Sequence, residues 1–170
     1  MTKLLAHCGR CGAPGIRHDG SKRYECAACG WVFYINPVAA TAAILEVEGK
    51  VLLTIRATNP SAGMLDLPGG FVDTGETNEQ ALCRELAEEL GITLEPGRLR
   101  YLGSFPNRYT FAAITYDTVD AIFTAKLDGV PAHHDSGELS GFELLAPDQI
   151  DLDRLAFASI RAAIRVYRGD

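Results

Sequence analysis

The chain has 170 residues, 47% of them hydrophobic, and a formal net charge of −6. That is enough apolar material for one domain with a core plus a small appendage, and no run approaches the ~18 apolar residues of a membrane span. The acidic total disfavours a uniformly basic nucleic-acid binder. The charge is nevertheless uneven: residues 1–35 carry Lys3, Arg10, Arg17, Lys22 and Arg23 against Asp19 and Glu25, a local +3 that leaves −9 on the remainder.

The opening MTKLLAHCGR has no signal-peptide apolar region, so the chain reads as cytoplasmic. Four of the five cysteines then fall in two C-x2-C-G pairs, Cys8 with Cys11 and Cys26 with Cys29, with 14 residues between them. Four soft thiolates in two such pairs suit one tetrahedral Zn²⁺, and the glycine after each pair frees backbone N–H groups to turn toward sulfur. Two disulfides do not suit a reducing compartment, and no βαβ pattern surrounds either pair to support a redox motif. A segment this short folds around its metal. Residues 1–35 are therefore expected to form a zinc ribbon with Tyr24, Trp31, Phe33 and Tyr34 packed around it. His7 and His18 are read as bystanders, and Cys83 as a buried, inert thiol.

Asn36-Pro37 ends the ribbon. A strand is expected from Val38 to Val47, a turn at Glu48-Gly49-Lys50, and an antiparallel return from Val51 to Arg56. Arg56 stands at a strand end facing the loop Asn59 to Gly63, in reach of a substrate phosphate or simply on the surface. Met64 to Leu67 leads into Pro68-Gly69-Gly70.

The next stretch, GFVDTGETNEQALCRELAEELGI from Gly70 to Ile92, is the most informative in the chain. Thr77 and Gln80 have capping-box spacing, so a helix begins near Thr77. Leu82, Leu86 and Leu90 recur at i, i+4 and i+8 as one apolar stripe, and Gly91 supplies a left-handed stop. Glu85, Glu88 and Glu89 share a face beside that stripe and repel unless a cation sits among them; hard oxygen ligands suit Mg²⁺ or Mn²⁺. Arg84 is placed to pair with Glu88 or to reach back to Glu76.

Gly70, Glu76, Arg84, Glu85, Leu86, Glu88, Glu89, Gly91 and Ile92 fill every fixed position of the pattern G-x5-E-x7-R-E-U-x-E-E-x-G-U, with U apolar. The chain thus resembles the Nudix hydrolases. The resemblance implies an α/β class, with a Nudix-type α/β/α sandwich and mixed sheet over residues 36–170 after the ribbon. It implies that Glu85, Glu88 and Glu89 hold Mg²⁺ or Mn²⁺ on a pyrophosphate, with the carbonyl of Gly69 or Gly70 completing the shell. Gly70, Glu76, Arg84 and Gly91 are then structural members of the loop and helix.

Strands are expected at Leu99 to Ser104 and Thr118 to Leu127, with SFPNRYTFAAITYD between them. In a Nudix enzyme this neighbourhood shapes the substrate side of the pocket. Asn107, Arg108 and Tyr109 are the candidate substrate contacts, against the plainer reading that the stretch packs as a strand pair. His133-His134-Asp135 reads as a solvated loop. Glu138, just before Gly141-Phe142-Glu143, resembles the acidic loop residue that in many Nudix sequences supplies a ligand or base, so the resemblance makes Glu85 or Glu138 the candidate proton acceptor. A last helix is expected from Asp153 to Arg168, burying Leu155, Ile160 and Ile164, with Arg154, Arg161, Arg165 and Arg168 solvated.

A ribbon followed by the box is similar to the ADP-ribose and NADH pyrophosphatase-like proteins. Ser104 to Tyr109 departs from the NADH-type motif, which points to ADP-ribose, cleaved to AMP and ribose 5-phosphate. NADH or NAD, NAD-capped RNA, or a nucleic-acid- or partner-binding sensor that uses the basic ribbon are the alternatives. A homodimer is implied by the same resemblance, and no membrane association is expected.

Overall fold

A computed structural model describes residues 5–132 and 134–170. It divides the chain into two units, Met1–Pro37 and Val38–Asp170. Among the described residues, no helix is long and apolar enough to cross a membrane.

The first unit is an antiparallel sheet of three short strands, β1 (Ile16–His18), β2 (Arg23–Cys26) and β3 (Val32–Tyr34), in that order. Its core is small: Cys8, Ile16, Tyr24 and Cys26, with Leu5, Ala13, Trp31 and Ile35 against them. Tyr24 is buried and Trp31 stacks on Phe33 with centroids 5.2 Å apart. Tyr34 does not pack as expected: all of β3 is exposed, Tyr34 at 47%, and Phe33 keeps only its stack on Trp31.

The second unit is built on a mixed sheet. β4 (Val38–Val47) and β5 (Lys50–Arg56) form the expected hairpin through Glu48-Gly49. Two short strands follow, β6 (Leu65–Asp66) on β5 and β7 (Gly69–Phe71) on β4, then α1 (Asn78–Leu90). β8 (Arg100–Phe111), β9 (Ile114–Lys126), β10 (Leu139–Leu145) and α2 (Ala158–Arg168) complete it, and the main order is β10-β5-β4-β9-β8. β4 and β9 run parallel; the other pairings are antiparallel.

β4 is apolar almost throughout because both of its faces are covered. Ala42 and Ile44 join Leu53, Ile122 and the α2 residues Ile160, Ala163 and Ile164 on one side. Ala43 and Leu45 join Leu52, Phe123 and the stripe Leu82, Leu86 and Leu90 of α1 on the other. Two helices on opposite faces of one sheet make the α/β/α sandwich. α1 is fixed at both ends as its sequence predicts: Thr77 and Gln80 form a complete capping box, and Gly91 is left-handed with φ 64°.

Two elements differ in extent from expectation, and the arginines of the last helix differ in environment; in the first, the plainer strand-pair reading is the one that holds. The stretch from Ser104 to Asp117 is strand, since β8 and β9 continue to Phe111 and Ile114 and turn through Ala112-Ala113. The last helix begins at Ala158, because Leu152–Arg154 forms a separate 3₁₀ turn; Leu155, Ile160 and Ile164 are buried as anticipated. Three of the four arginines there have protein partners: Arg154 pairs with Glu143, Arg161 donates to the Leu155 carbonyl, and Arg168 donates to those of Pro147 and Ile150. Carbonyls at the ends of short turns lack partners of their own, and a guanidinium can reach them. His133 lies outside the described residues; His134 rests edge-on against Phe142.

Candidate active site and metal centre

In the ribbon, Cys8 and Cys29 sulfurs are 3.8 Å apart, as are those of Cys11 and Cys26, and all four lie within 4.8 Å of one another. Zn–S bonds of about 2.3 Å define a tetrahedron with edges of about 3.8 Å, so the four atoms fit one Zn²⁺. A disulfide needs about 2.05 Å. Burial works against ionisation of Cys8, but the N–H groups of Cys11 and Arg10 outweigh it and draw its pKa down to about 7. His7 and His18 stay apart from this cluster: His7 bridges to Pro14, and His18 bonds the Ser21 carbonyl and stacks on Tyr24.

In the larger unit, a cavity of about 390 Å³ opens beside β6 and β7. The turn at Gly69-Gly70 sets its floor against α1. Gly69 has φ 143°, and a side chain there would strike the Thr41 carbonyl. A Cβ on Gly70 would collide with the Glu85 carboxylate. Glycine at both positions lets the backbone close on the helix, and the Gly69 N–H then donates to Glu89 Oε2 at 2.9 Å.

Arg84 organises the outer side. It donates to both Glu76 oxygens at 2.9 and 3.0 Å, to Glu85 at 2.8 Å, to Glu88 at 3.1 Å and to the Phe71 carbonyl. Both pairings anticipated for Arg84 are therefore present at once. Its guanidinium holds Glu76 below the usual carboxylate range.

The three helix glutamates do not form one uniform patch. Glu88 is 61% exposed at its side chain, held by Arg84, and is not among the residues that line the cavity. Glu85 and Glu89 do line it, and Glu89 is only 7% exposed. The cause is helical geometry: adjacent positions lie about 100° apart, so only one of the pair can face inward. Burial raises the pKa of Glu85, and raises that of Glu89 to about 8 even though the Gly69 N–H draws it down. The negative charge of Glu138, which also lines the cavity, adds to both shifts.

Of the remaining candidates, Arg56, Asn107 and Tyr109 line the cavity and Arg108 does not. Arg108 points to the other face of β8, where it lies 3.8 Å from Asp117. Arg56 is already engaged, donating to Asp66 at 2.8 Å and to the Pro60 carbonyl at 2.7 Å, and lying 5.0 Å over the Phe157 ring.

Lining residues that escaped the sequence reading include Asp66, Thr118, Asp120 and Phe157. Asp66 and Asp120 are 7% and 8% exposed. Burial pushes the Asp66 carboxyl up to about 6 despite Arg56. The available signal was a lone charged residue at a core-facing position of an apolar strand, as in LDL and VDAIF.

The cavity thus collects Glu85, Glu89, Glu138, Asp66 and Asp120 around two arginines that are already paired. Such a site attracts cations and repels a bare phosphate, so an anion enters only together with metal charge. Hard carboxylate oxygens fit Mg²⁺ or Mn²⁺.

Comparison with known proteins agrees with this geometry. The family model described as NUDIX domain matches residues 35–165. An ADP-ribose pyrophosphatase of Methanocaldococcus jannaschii is 43% identical over 75 residues, which is 44% of each chain. An NAD-capped RNA hydrolase NudC of Haemophilus influenzae is 36% identical over 110 residues, covering 62% of this chain and 40% of that one. The chain therefore spans less than half the length of these relatives. A NUDIX hydrolase of Nitrosomonas europaea superposes with a TM-score of 0.67 at 28% identity, over 96% of this chain and 92% of that one.

Proposed function

The chain belongs to the NUDIX domain family, and we propose on that premise that it hydrolyses the pyrophosphate bond of a nucleoside diphosphate derivative, foremost ADP-ribose, giving AMP and ribose 5-phosphate. The observation that carries this is the make-up of the cavity: carboxylates of α1 and its loop at one side, and Asn107, Tyr109 and Phe157 at the other. One side suits a cation-bound pyrophosphate, and the other suits a nucleoside.

Glu85 and Glu89, with the carbonyl of Gly69, would hold Mg²⁺ or Mn²⁺; Glu88, expected to join them, is exposed and held by Arg84 outside the cavity lining. A divalent ion there neutralises phosphate charge and lowers the pKa of a bound water. Arg84 keeps Glu85 and Glu88 aimed by hydrogen bonds, and the Gly69 N–H fixes Glu89. Glu85 or Glu138 takes the proton of the attacking water as its oxygen adds to phosphorus; the P–O–P bond breaks and the leaving phosphate carries off the electron pair. Zn²⁺ at Cys8, Cys11, Cys26 and Cys29 has a structural role only.

The 110-residue likeness to a protein named NAD-capped RNA hydrolase supports a second reading, in which NADH, NAD or NAD-capped RNA is the substrate. Against it, Ser104-Phe105-Pro106-Asn107-Arg108-Tyr109 stands in place of the NADH-type motif. A panel of kcat/KM values for ADP-ribose, NADH, NAD, diadenosine polyphosphates and nucleoside triphosphates, under one Mg²⁺ condition, decides. ADP-ribose leads on the proposed reading; a tenfold lead for NADH or a triphosphate rejects it. The proposal places this activity in the cytoplasm and in a homodimer. Light scattering at micromolar concentration tests the latter, and a mass of 18.3 kDa would exclude it.

A further inference from the structure

Asp120 is a lining residue that the hydrolytic chemistry leaves without a task. It is 8% exposed, and its Oδ1 accepts from the Thr118 hydroxyl at 2.6 Å. Asp66, the other buried aspartate, is satisfied differently, by Arg56 and by the Leu67 N–H. Among the described residues, Asp120 has neither an arginine nor a backbone N–H. Among them its second oxygen has no protein partner and is not sealed off, so it is open to a donor in the cavity.

The register of the sheet says what stands beside it. Asp120 is opposite Phe105 and Thr118 is opposite Asn107, so Asp120, Thr118 and Asn107 share one face of the β8–β9 pair. The parallel pairing of Ala40 with Asp120 puts a methyl group there instead of a bulky neighbour. Tyr109 and Phe157, 5.6 Å apart, supply aromatic wall to the same cavity. The subsite therefore offers one free carboxylate oxygen that can only accept, one carboxamide that can donate, and aromatic surface.

We infer that Asp120 reads the amino edge of adenine: its free oxygen takes an N6–H of the base, and the Asn107 carboxamide donates to the adjacent ring nitrogen. Because Thr118 already occupies the other oxygen, one donor satisfies the site, as adenine provides. Hypoxanthine has a carbonyl oxygen at that position, which would face the carboxylate without a proton between them. This inference rests on the proposed nucleotide-binding reading and adds to it the residue that selects the base.

The test uses ligands whose P–C–P bridge is not hydrolysed, so binding is read apart from turnover. Calorimetry on the full chain with Mg²⁺ compares α,β-methylene-ADP, its hypoxanthine counterpart and its N6,N6-dimethyl derivative. The adenine compound is expected to bind about 10- to 100-fold more tightly than either. Asp120→Asn, whose amide donates to a carbonyl, is expected to abolish or reverse the preference over hypoxanthine. Asn107→Ala should weaken the adenine compound. Equal binding of the three compounds to the wild type, binding of none, or an unchanged preference in a folded Asp120→Asn protein would overturn the inference. If Asp120→Asn does not fold, the dimethyl compound decides alone, since it lacks the N–H that Asp120 requires. A protein that discriminates these ligands but leaves ADP-ribose intact would end the ADP-ribose reading while leaving this one standing.

Discussion

In the ribbon, four cysteine sulfurs from two turns lie within 4.8 Å of one another, and among the described residues no arginine or lysine side chain is bonded to them. On α1 and the loop before it, Glu76, Glu85, Glu88 and Glu89 are as numerous, but each already has a protein partner in Arg84 or the Gly69 N–H. No three carboxylates among the described residues converge as the sulfurs do. A closed set of ligands without a charged partner depends on its ion for folding. An open set held by an arginine and a backbone amide can fold first and keep positions free for a substrate.

Breaking the closed site should have the largest effect. Structural zinc is worth about 10–16 kcal/mol in small zinc domains, more than a 37-residue unit can replace from its own core. Cys11→Ser, or a strong chelator, is expected to release about one zinc per chain and to collapse the amide dispersion of the ribbon in NMR spectra, while the signals of α1 and its sheet persist. A ribbon that keeps its dispersion without zinc would remove this half of the comparison.

At the open site the loss falls on turnover. Glu89→Gln keeps the shape of the side chain and removes its charge, and kcat should drop by at least about 100-fold. Its helix should remain, because Leu82, Leu86 and Leu90 hold it to the sheet. Circular dichroism and steady-state kinetics on one preparation separate the two effects.

Arg84→Ala sharpens the claim that an arginine stands in for the ion. It leaves Glu76, Glu85 and Glu88 without their shared donor and should cost about 2–4 kcal/mol in urea unfolding. Addition of Mg²⁺ should recover part of that loss, and a stability indifferent to both changes would mean that the pairs contribute little.

The smallest effect is a dependence of metal-free stability on pH. Burial raises the folded pKa of Glu89 to about 8, above its ordinary 4.5. The folded state therefore favours the protonated form, and the corresponding stability is full below pH 4.5 and is lost as pH rises through 8. In chelator, Glu89→Gln should lack this loss, so its Tm should gain on the wild type between pH 5 and 8. Parallel Tm curves would show that Glu89 is already satisfied in its ionised state.

These contrasts also explain what could be read from residues alone. The α1 cap, its leucine stripe, the Gly91 stop and the arginine clamp are set by spacings within 23 residues, so the linear pattern carries them. The ribbon ligands are legible for the same reason, as two local turns of fixed form. Asp66, Asp120 and Phe157 reach the cavity from β6, β9 and the start of α2, and no local spacing relates them. Arg108 looked equivalent to Asn107 and Tyr109 until strand alternation turned it outward. Glu88 and Glu89 looked equivalent until the helix met the Gly69-Gly70 turn, which buries one and leaves the other to Arg84.

The central claim is that the α1 carboxylates make a metal-dependent pyrophosphatase. Phosphorus NMR of ADP-ribose incubated with Mg²⁺ and either the wild type or Glu85→Gln/Glu89→Gln tests it most directly. The wild type should convert the diphosphate signals to those of AMP and ribose 5-phosphate, and neither the double variant nor chelator-treated wild type should do so. Conversion by the folded double variant at the wild-type rate would contradict the account.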